Sequence, residues 1–268
     1  TIKGNHPGKT VALRGDMDAL SVQELNTVEY KSQVSGMMHA CGHDGHTAML
    51  IGAAKVLNEL RDEIHGTVKL FFQPAEETAQ GAHAMINDGA MEGVDSIFGI
   101  HLWADIETGK VSVEEGPRMA GADWFKIEVK GKGGHGSAPQ QCVDAVLVSS
   151  AIVMNLQSIV SREIHPNDSL VVTVGMLNSG SRFNVIAENG YIEGTTRSFN
   201  PELRKQLPVK MERIIKSTAE AFGATAKLEF DFAVAPTIND EQCAKIGQGS
   251  VEKILGPEGN YHFEKVTG

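Results

Sequence analysis

The sequence predicts an α/β protein in which a mixed sheet carries helices on its faces and is interrupted by a smaller α+β domain. Two observations predict this fold. Early in the chain, short apolar runs alternate with amphipathic segments of helical period. Later strand candidates instead alternate apolar and polar residues, which is typical of antiparallel strands with one covered face. We therefore expect a first domain at 1–118, an inserted domain at 119–232, and a truncated return to the first domain at 233–268.

The elements of the first domain are predicted from apolar runs and from one strongly periodic segment. That segment carries apolar residues three and four positions apart, as an amphipathic helix requires. Pro74 follows the second predicted strand. Because proline has no N–H to pair with a neighbouring strand, the strand is expected to end before it. In chain order the predicted elements are a strand at 10–13, a helix at 46–60, a strand at 67–72, a short helix at 81–91 and a strand at 96–103.

The inserted domain is predicted from three strands of period two and two long helices. Strands with one polar face, covered by two helices, describe a small antiparallel α+β domain. Pro208 falls inside the second helical pattern, so this helix is expected to start or bend there. The predicted elements are strands at 124–130, 170–175 and 190–197 and helices at 143–162 and 202–222, with a further helix at 239–255 in the returning segment.

Composition narrows the classes of function. The chain of 268 residues has 34 acidic and 24 basic residues, a formal net charge of -10, which argues against nucleic-acid binding. No stretch is an uninterrupted apolar run of the roughly 18 residues that a membrane span needs. Three cysteines do not make a disulfide framework, so a reducing, cytoplasmic setting is expected. Both ends look cut, and we expect the chain to be a fragment.

A dense cluster of chemically active side chains lies at 39–46. It contains three histidines, one cysteine and one aspartate in eight residues. Gly42 permits a tight backbone path, so the Cys41 thiolate and the His43 imidazole can converge on one metal ion. The alternative is a polar loop with incidental histidines.

Two further places strengthen the metal interpretation. Of the adjacent carboxylates Glu76 and Glu77, one could ligate a metal and the other could act as general base. The alternative for the two glutamates is a solvated acidic turn. A lone histidine in an apolar strand, where His101 is predicted to lie, is more often a core residue than a metal ligand. Each place follows or ends a predicted strand, and ligands gather at that edge of an α/β sheet. Asp18 lies on the same edge, where it could orient a ligating imidazole.

Several long motifs, in the same order along nearly the whole chain, resemble the amidohydrolase branch of the aminoacylase/carboxypeptidase metallopeptidase family. This branch includes hippurate hydrolases, indole-acetyl-amino-acid hydrolases and N-acetyl-diaminopimelate deacetylases. The motifs that carry the resemblance are Leu13–Leu20, Met38–Thr47, Phe72–Glu77, Phe98–Leu102 and Gly131–Gly136.

The resemblance implies a metallopeptidase-type catalytic domain interrupted by a lid domain that also mediates dimerisation, hence a homodimer. It implies two divalent metal ions, and the mixed donor set suits zinc, manganese, nickel or cobalt. It also implies roles for single residues: Cys41, His43, Glu77 and His101 as metal ligands, Glu76 as general base, His135 as a catalytic lid residue, and Asn184 and Arg197 as substrate-binding residues.

The expected reaction is hydrolysis of the amide bond of a small N-acyl amino acid by a metal-activated water, with Glu76 as base. The acyl group could be acetyl, benzoyl or similar. Gly15 and Ser21 depart mildly from the family pattern, and a further histidine ligand of the family lies past the end of this sequence. Two alternatives remain: a hydrolase with Cys41 as nucleophile, and a non-catalytic dimerisation or binding module.

Overall fold

The computed structural model describes residues 1–267, which divide into two compact units, Thr1–Val111 and Ser112–Gly268. The division falls a few residues before the predicted boundary at 118. The segment after residue 232 pairs within the second unit, since its strand Thr237–Asn239 is hydrogen-bonded to Gly116–Met119. The predicted three-part domain organisation stays a prediction, and each unit is described by itself.

The first unit is built on a four-stranded mixed sheet. Its order is β1-β3-β2-β4, in which β2 is parallel to β3 and to β4, while β1 is antiparallel to β3. The elements are β1 (Ile2–Lys3), β2 (His6–Asp16), α1 (His43–Glu59), β3 (His65–Gln73), α2 (Gly81–Asn87) and β4 (Ser96–Gly99).

Helix α1 begins three residues before its predicted start and packs on β2. Its buried residues are His43, His46 and Leu50, three and four positions apart on one face. At Gly15 of β2 an added Cβ would lie 3.0 Å from the His46 carbonyl oxygen, so the helix and the strand approach closely there. The first turn of α1 is therefore held against the carboxyl end of β2.

The second unit is an antiparallel sheet covered by two helices. The sheet order is β11-β6-β10-β8, and all three pairings are antiparallel. The elements are β5 (Gly116–Met119), β6 (Gly121–Lys130), β7 (Gly134–His135), α3 (Ala145–Ser158), β8 (Leu170–Ser179), β9 (Val185–Ile186), β10 (Asn189–Ser198), α4 (Pro201–Ala221), β11 (Thr225–Val234), β12 (Thr237–Asn239) and α5 (Glu241–Leu255).

The core of this unit lies between the sheet and the helices α3 and α4. Phe125, Ile127 and Val129 alternate along β6 and are buried, while the residues between them are exposed. They belong to one apolar cluster with Ile152 of α3 and Ile215 of α4. This packing confirms the α/β fold class with an α+β portion.

Three element predictions were wrong in detail. The predicted strand at 96–103 ends at Gly99, so His101 lies in the irregular segment after β4 and not in a strand. The helix predicted at 81–91 ends at Asn87. Helix α4 runs without interruption from Pro201 to Ala221 with Pro208 inside it. The fourth strand β11 was not predicted, although its residues also alternate.

One helical stretch, Ala145–Glu163, is long and apolar enough to cross a membrane by length and composition. It consists of α3 and a π-helical turn at Ile159–Glu163. Val148, Ile152 and Leu156 lie at helical spacing and are fully buried in the apolar cluster of the second unit. This stretch is therefore a core helix in the structure.

Candidate metal centre

The predicted ligand segments meet at one edge of the first sheet. Strands β2 and β3 are parallel and in register, so Asp16 and Gln73 lie side by side where the two strands end. The parallel strand β4 ends at Gly99, beside Arg14. The segments that follow these three strands carry Asp18, the two glutamates and His101. This is the carboxyl edge on which the sequence placed the site.

Gly42 brings Cys41 and His43 together at the start of α1. Gly42 has a φ of 82° and forms the N-cap of α1, a left-handed conformation that L side chains rarely adopt. The chain turns sharply at this residue. As a result the Cys41 sulfur and a His43 ring nitrogen lie on the same side of the turn, within 4.8 Å of each other.

The His43 imidazole is buried and oriented by Asp18. Its Nδ1 lies 3.1 Å from the Asp18 carbonyl oxygen and 3.2 Å from a carboxylate oxygen of the same residue. Since both neighbours are acceptors, Nδ1 carries the proton and Nε2 has a free lone pair. His43 Nε2 is buried and has no hydrogen-bond partner among the described residues. A buried polar atom without a partner requires an explanation, and a bound cation supplies one.

His101 is oriented in the same way, although it is exposed. Its Nδ1 lies 2.6 Å from the carbonyl oxygen of Leu102, so Nδ1 donates and Nε2 carries the lone pair, which faces the Cys41 thiol. Nε2 is 3.5 Å from the Cys41 sulfur. Metal-ligating histidines commonly donate their other ring N–H to a carbonyl or carboxylate oxygen, and both His43 and His101 have this arrangement.

Glu76 and Glu77 lie in a tight turn after β3. Ala75 and Ala79 have positive φ values of 50° and 57°, an uncommon conformation for non-glycine residues that is held here by the surrounding turn. The backbone N–H of Glu77 donates to Asp18 Oδ2 at 3.1 Å. Asp18 therefore contacts both the His43 imidazole and the Glu77 backbone, and its orienting role stays a prediction.

The two glutamate carboxylates face His43. Glu77 Oε1 and Glu76 Oε2 each lie 3.9 Å from His43 Nε2. Burial and the neighbouring Glu77 charge raise the pKa of Glu76. For Asp18, burial acts to raise the pKa, but the backbone N–H groups of Glu77 and Glu76 outweigh it and the pKa is lowered. Carboxylates held in such different environments can divide the roles of base and support.

The Cys41 thiol has an environment suited to a ligand rather than to a nucleophile. Burial, followed by the charge of Glu77 and a hydrogen bond with it, raises the pKa of Cys41 to about 11. Nucleophilic cysteines have a lowered pKa, which an electropositive environment provides. The thiol here is surrounded by carboxylates, and a bound cation would displace its proton.

The residues present fit a divalent cation. Cys41, His43 and His101 each place a donor atom within 4.8 Å of the others, and so do His43, Glu76 and Glu77. The two groups share His43. A sulfur, two imidazoles and carboxylates form a borderline donor set, which suits zinc and its transition-metal neighbours.

A polar network below this cluster was not predicted. Asp16 is fully buried and its carboxylate lies 2.5 Å from Arg14 and 2.5 Å from His46 Nδ1. Arg14 also donates to the Gln73 side chain at 2.9 Å. Burial acts to raise the pKa of Asp16, but the hydrogen bond with His46 and the Arg14 charge outweigh it and the pKa is lowered. The signal in the sequence was the position of His46, three residues after His43 on the same helix face.

The predicted lid residues belong to the second unit. His135 of β7 is adjacent to Asn184, since His135 pairs with Val185 in β9 and the Gly136 N–H donates to the Asn184 carbonyl at 2.9 Å. Arg197 lies on a different strand, β10, and its guanidinium donates to Thr195 Oγ1 at 2.5 Å. The roles given to these three residues stay predictions.

Comparison with known proteins places the chain in one enzyme family. The sequence profile described as peptidase family M20/M25/M40 matches residues 12–268. An N-acyl-L-amino acid amidohydrolase of Geobacillus stearothermophilus is 46% identical over 253 residues, which are 94% of this chain and 68% of that protein. An N-acetylcysteine deacetylase of Bacillus subtilis is 40% identical, over 100% of this chain and 73% of that protein.

A solved structure provides the same result at the level of the fold. It is a Bacillus subtilis protein described as a dinuclear metal-binding peptidase from the M20 family, with a TM-score of 0.86 and 36% identity. The match covers 100% of this chain and 68% of that chain. The chain therefore belongs to peptidase family M20/M25/M40 and is a hydrolase of its amidohydrolase branch.

Proposed function

We propose that this hydrolase cleaves the amide bond of N-acyl amino acids, with Cys41, His43, Glu77 and His101 holding a divalent cation. The observation that carries the proposal is the buried Nε2 of His43, which faces the other donors and has no hydrogen-bond partner within residues 1–267. The names of the amidohydrolase and deacetylase relatives support the substrate class. The reaction class is amide hydrolysis of a small molecule.

We propose two cations, drawn from zinc, manganese, nickel and cobalt. The description of the solved Bacillus subtilis relative as dinuclear supports the number. Glu76, Glu77 and His43 form a second group of converging donors beside the group that contains Cys41. The mixed sulfur, nitrogen and oxygen donors support the choice of metals.

A bound divalent cation would polarise the acyl carbonyl and lower the pKa of water beside it. In this mechanism Glu76 accepts the proton of the attacking water at a carboxylate oxygen. The same carboxyl group then returns the proton to the departing amine nitrogen. Asp18 holds His43 and the Glu77 backbone in place throughout. Glu76 is proposed as base because it adjoins Glu77 and its carboxylate faces the same imidazole.

The substrate would be held by side chains of the second unit. The Arg197 guanidinium offers a planar, bidentate fork that matches the free α-carboxylate of an amino acid. Asn184 and His135 can donate hydrogen bonds to that carboxylate or to the oxyanion that develops at the acyl carbon. Recognition of a free carboxylate would favour N-acyl amino acids over internal peptide bonds.

The experiment compares Glu76→Gln with Glu77→Gln in the native enzyme. We expect Glu76→Gln to bind cation as the wild type does and to lose about 10²–10⁴-fold in kcat on N-acetyl amino acids, the typical contribution of a general base. We expect Glu77→Gln to lose cation, measured by elemental analysis after dialysis. Exposed Glu92 offers a control, since Glu92→Gln should change neither quantity. Full turnover by Glu76→Gln with cation bound would refute the assignment of the base.

We also propose a homodimer formed through the second unit. The two edge strands of its sheet differ: β11 carries Lys227, Glu229 and Asp231, whereas β8 carries no charged residue. An uncharged edge strand is a ready surface for pairing with another strand, and two copies of β8 can pair antiparallel about a two-fold axis. Leu147 and Met154 of α3, the helix that packs against β8, are also apolar and exposed.

The dimer is tested by placing a charge on each edge in turn. Met176→Lys on β8 should shift the protein toward monomer in sedimentation equilibrium, and Val234→Lys on β11 should leave the mass unchanged. A monomeric wild type would overturn the proposal.

We further propose a cytoplasmic location, supported by the three cysteines, which form no disulfide within residues 1–267.

A further inference from the structure

We propose that His46 is a positioning residue that fixes the backbone beside His101 and thereby sets the location of this ligand. The inference rests on the proposed metal centre and adds a residue that is neither a ligand nor a catalytic group in that proposal. The connection is a hydrogen bond of 2.8 Å between the backbone N–H of Leu102 and His46 Nε2. It joins α1, which carries His43, to the irregular segment that carries His101.

The protonation state of His46 follows from this hydrogen bond. A backbone N–H can only donate, so Nε2 of His46 must be the acceptor and its proton must be on Nδ1. Nδ1 lies 2.5 Å from Asp16 Oδ1 and donates to it. His46 is therefore a neutral imidazole with both nitrogens in use, 2% exposed.

This arrangement separates His46 from the two histidines proposed as ligands. All three histidines donate from Nδ1 to an oxygen, but only His43 and His101 have an Nε2 lone pair available to a cation. In His46 that lone pair accepts from Leu102. Asp16, His43 and His46 do lie within metal-binding distance of one another, but Asp16 is paired with Arg14 and His46. A third cation at that group is therefore not favoured.

The network behind His46 reaches the remaining ligand segment. Asp16 accepts from Arg14, and Arg14 donates to Gln73 at the end of β3, immediately before the turn that carries Glu77. One chain of hydrogen bonds thus joins the ends of β2 and β3, the first turn of α1 and the segment after β4. Hydrogen-bonded residues behind ligands of this kind commonly affect metal affinity by about 10–100-fold.

Packing adds a second restraint on the same segment. His101 has no strand to hold it, because β4 ends at Gly99. The Leu102 side chain lies against the start of α1, where a Cβ added at Gly45 would be 2.5 Å from Leu102 Cδ1. The imidazole rings of His46 and His101 are 4.7 Å apart, centre to centre. With this segment fixed, His101 Nε2 lies 3.5 Å from the Cys41 sulfur.

The test compares two variants in which a side chain with an amide group replaces His46. In His46→Gln the side-chain oxygen can reach the place of Nε2 and accept from Leu102, while in His46→Asn the amide can replace only the Nδ1 donor to Asp16. Two quantities are measured: hydrogen exchange of the Leu102 amide without metal, and binding of Co²⁺ followed by the thiolate-to-cobalt absorption band. We expect His46→Asn to lose Leu102 protection and about 10–100-fold in cobalt affinity. We expect His46→Gln to keep Leu102 protection and a cobalt affinity within about threefold of the wild type.

The control is His65→Asn, which changes an exposed histidine of the same unit and should alter neither measurement. Wild-type cobalt affinity in His46→Asn, or an unprotected Leu102 amide in the wild type, would overturn the inference. The exchange measurement on the wild type needs no variant, so misfolding of His46→Asn does not remove the test. A wild type without a thiolate-to-cobalt band would instead refute the proposed metal centre and leave the Leu102 exchange result standing.

Discussion

At the scale of single residues, the left-handed glycine between Cys41 and His43 controls how the two donors meet. Gly42→Ala should cost about 1–2 kcal/mol of stability, since a Cβ in this conformation crowds the following carbonyl. It should also weaken cation binding, because relaxation of the strained turn moves Cys41 relative to His43. Urea unfolding and Co²⁺ titration measure the two effects.

Gly36 is the matched control for this prediction. It has a φ of 78°, no atom of residues 1–267 lies within 4 Å of a Cβ added there, and it lies outside the proposed site. Gly36→Ala should therefore cost similar stability and leave cobalt affinity unchanged. Equal losses of affinity in both variants would show that backbone strain alone, and not the place of Gly42, affects the site.

Residue types predicted which side chains meet, but not how each is held. The three places that carry the candidate ligands could be selected from the sequence because each follows a predicted strand or lies at its end. The choice of Cys41, His43, Glu77 and His101 within those places came from the family resemblance. The His43–Asp18 contact could also be expected, since Asp18 lies on the same edge. The contact between His46 and Leu102 could not, because a backbone N–H carries no signature in the sequence and its partner is 56 residues away.

At the scale of elements, periodic segments were predicted well and their ends were not. The periodic helix α1 and the alternating strands β6 and β10 lie close to where the pattern placed them. The apolar run that begins at Ser96 predicts a strand to residue 103, but only its first four residues pair with β2. Ile100 and Leu102, past Gly99, are apolar but exposed, and an apolar run alone does not show where strand pairing ends.

Helix α4 contains a proline that the pattern marked as a start or a bend. Tertiary packing keeps the helix continuous, since Leu207 and Met211 on either side of Pro208 are fully buried. Pro208 still lacks the N–H that would bond to the carbonyl of Arg204. Pro208→Ala should therefore raise the free energy of unfolding by about 1–3 kcal/mol, measured with urea.

Pro201 provides the comparison for this change. It is the first residue of the same helix, where a proline suits the backbone and no intrahelical N–H bond is lost. Pro201→Ala should change stability little. If Pro208→Ala were no more stable than the wild type, the helix would have relieved the proline by local bending.

Glu163, at the end of the π-helical turn, forms ion pairs with Lys210 and Arg213 of α4. These ion pairs predict how the stability of the protein depends on pH. A hydrogen bond from Arg213 and the charges of Arg213 and Lys210 lower the pKa of Glu163, against an opposing effect of burial. A carboxyl group whose pKa is lowered by folding stabilises the folded state at pH values above its unfolded pKa, which is near 4.5 for Glu163. This stabilisation is lost as the pH falls through the pKa of the folded state. Glu163→Gln should cost about 0.2–1 kcal/mol at pH 7, the range for exposed pairs.

The measurement is the difference in unfolding free energy between wild type and Glu163→Gln at several pH values. The difference should be constant from about pH 6 to 7 and shrink at pH values below about 4.5. Exposed Glu220 on α4 supplies the comparison, as Glu220→Gln should cost less stability at pH 7 than Glu163→Gln. A Glu163→Gln difference that grew toward low pH would reverse the sign argued here.

At the scale of the whole molecule, the proposed metal donors all belong to one of the two compact units. Cys41, His43, Glu77 and His101 lie within Thr1–Val111. The hydrophobic core is unevenly divided, because the cluster of buried apolar residues lies in the second unit. The first unit buries few large apolar side chains and buries several polar groups instead, such as Asp16, His43 and His46. We expect the stability of the first unit to depend more strongly on a bound cation than that of the second unit does.

Cation binding should therefore stabilise the first unit selectively. A ligand that binds only the folded state at 100 times its Kd adds about 2.7 kcal/mol. In hydrogen exchange with and without Zn²⁺, this gain should appear in residues 1–111, especially in α1 and the turn after β3. Residues 112–267 should exchange at nearly unchanged rates. Cys41→Ser should reduce the gain, because a hydroxyl is a poorer ligand for zinc than a thiolate. Equal protection of both units, or protection that persists undiminished in Cys41→Ser, would place the cation on other donors than those named here.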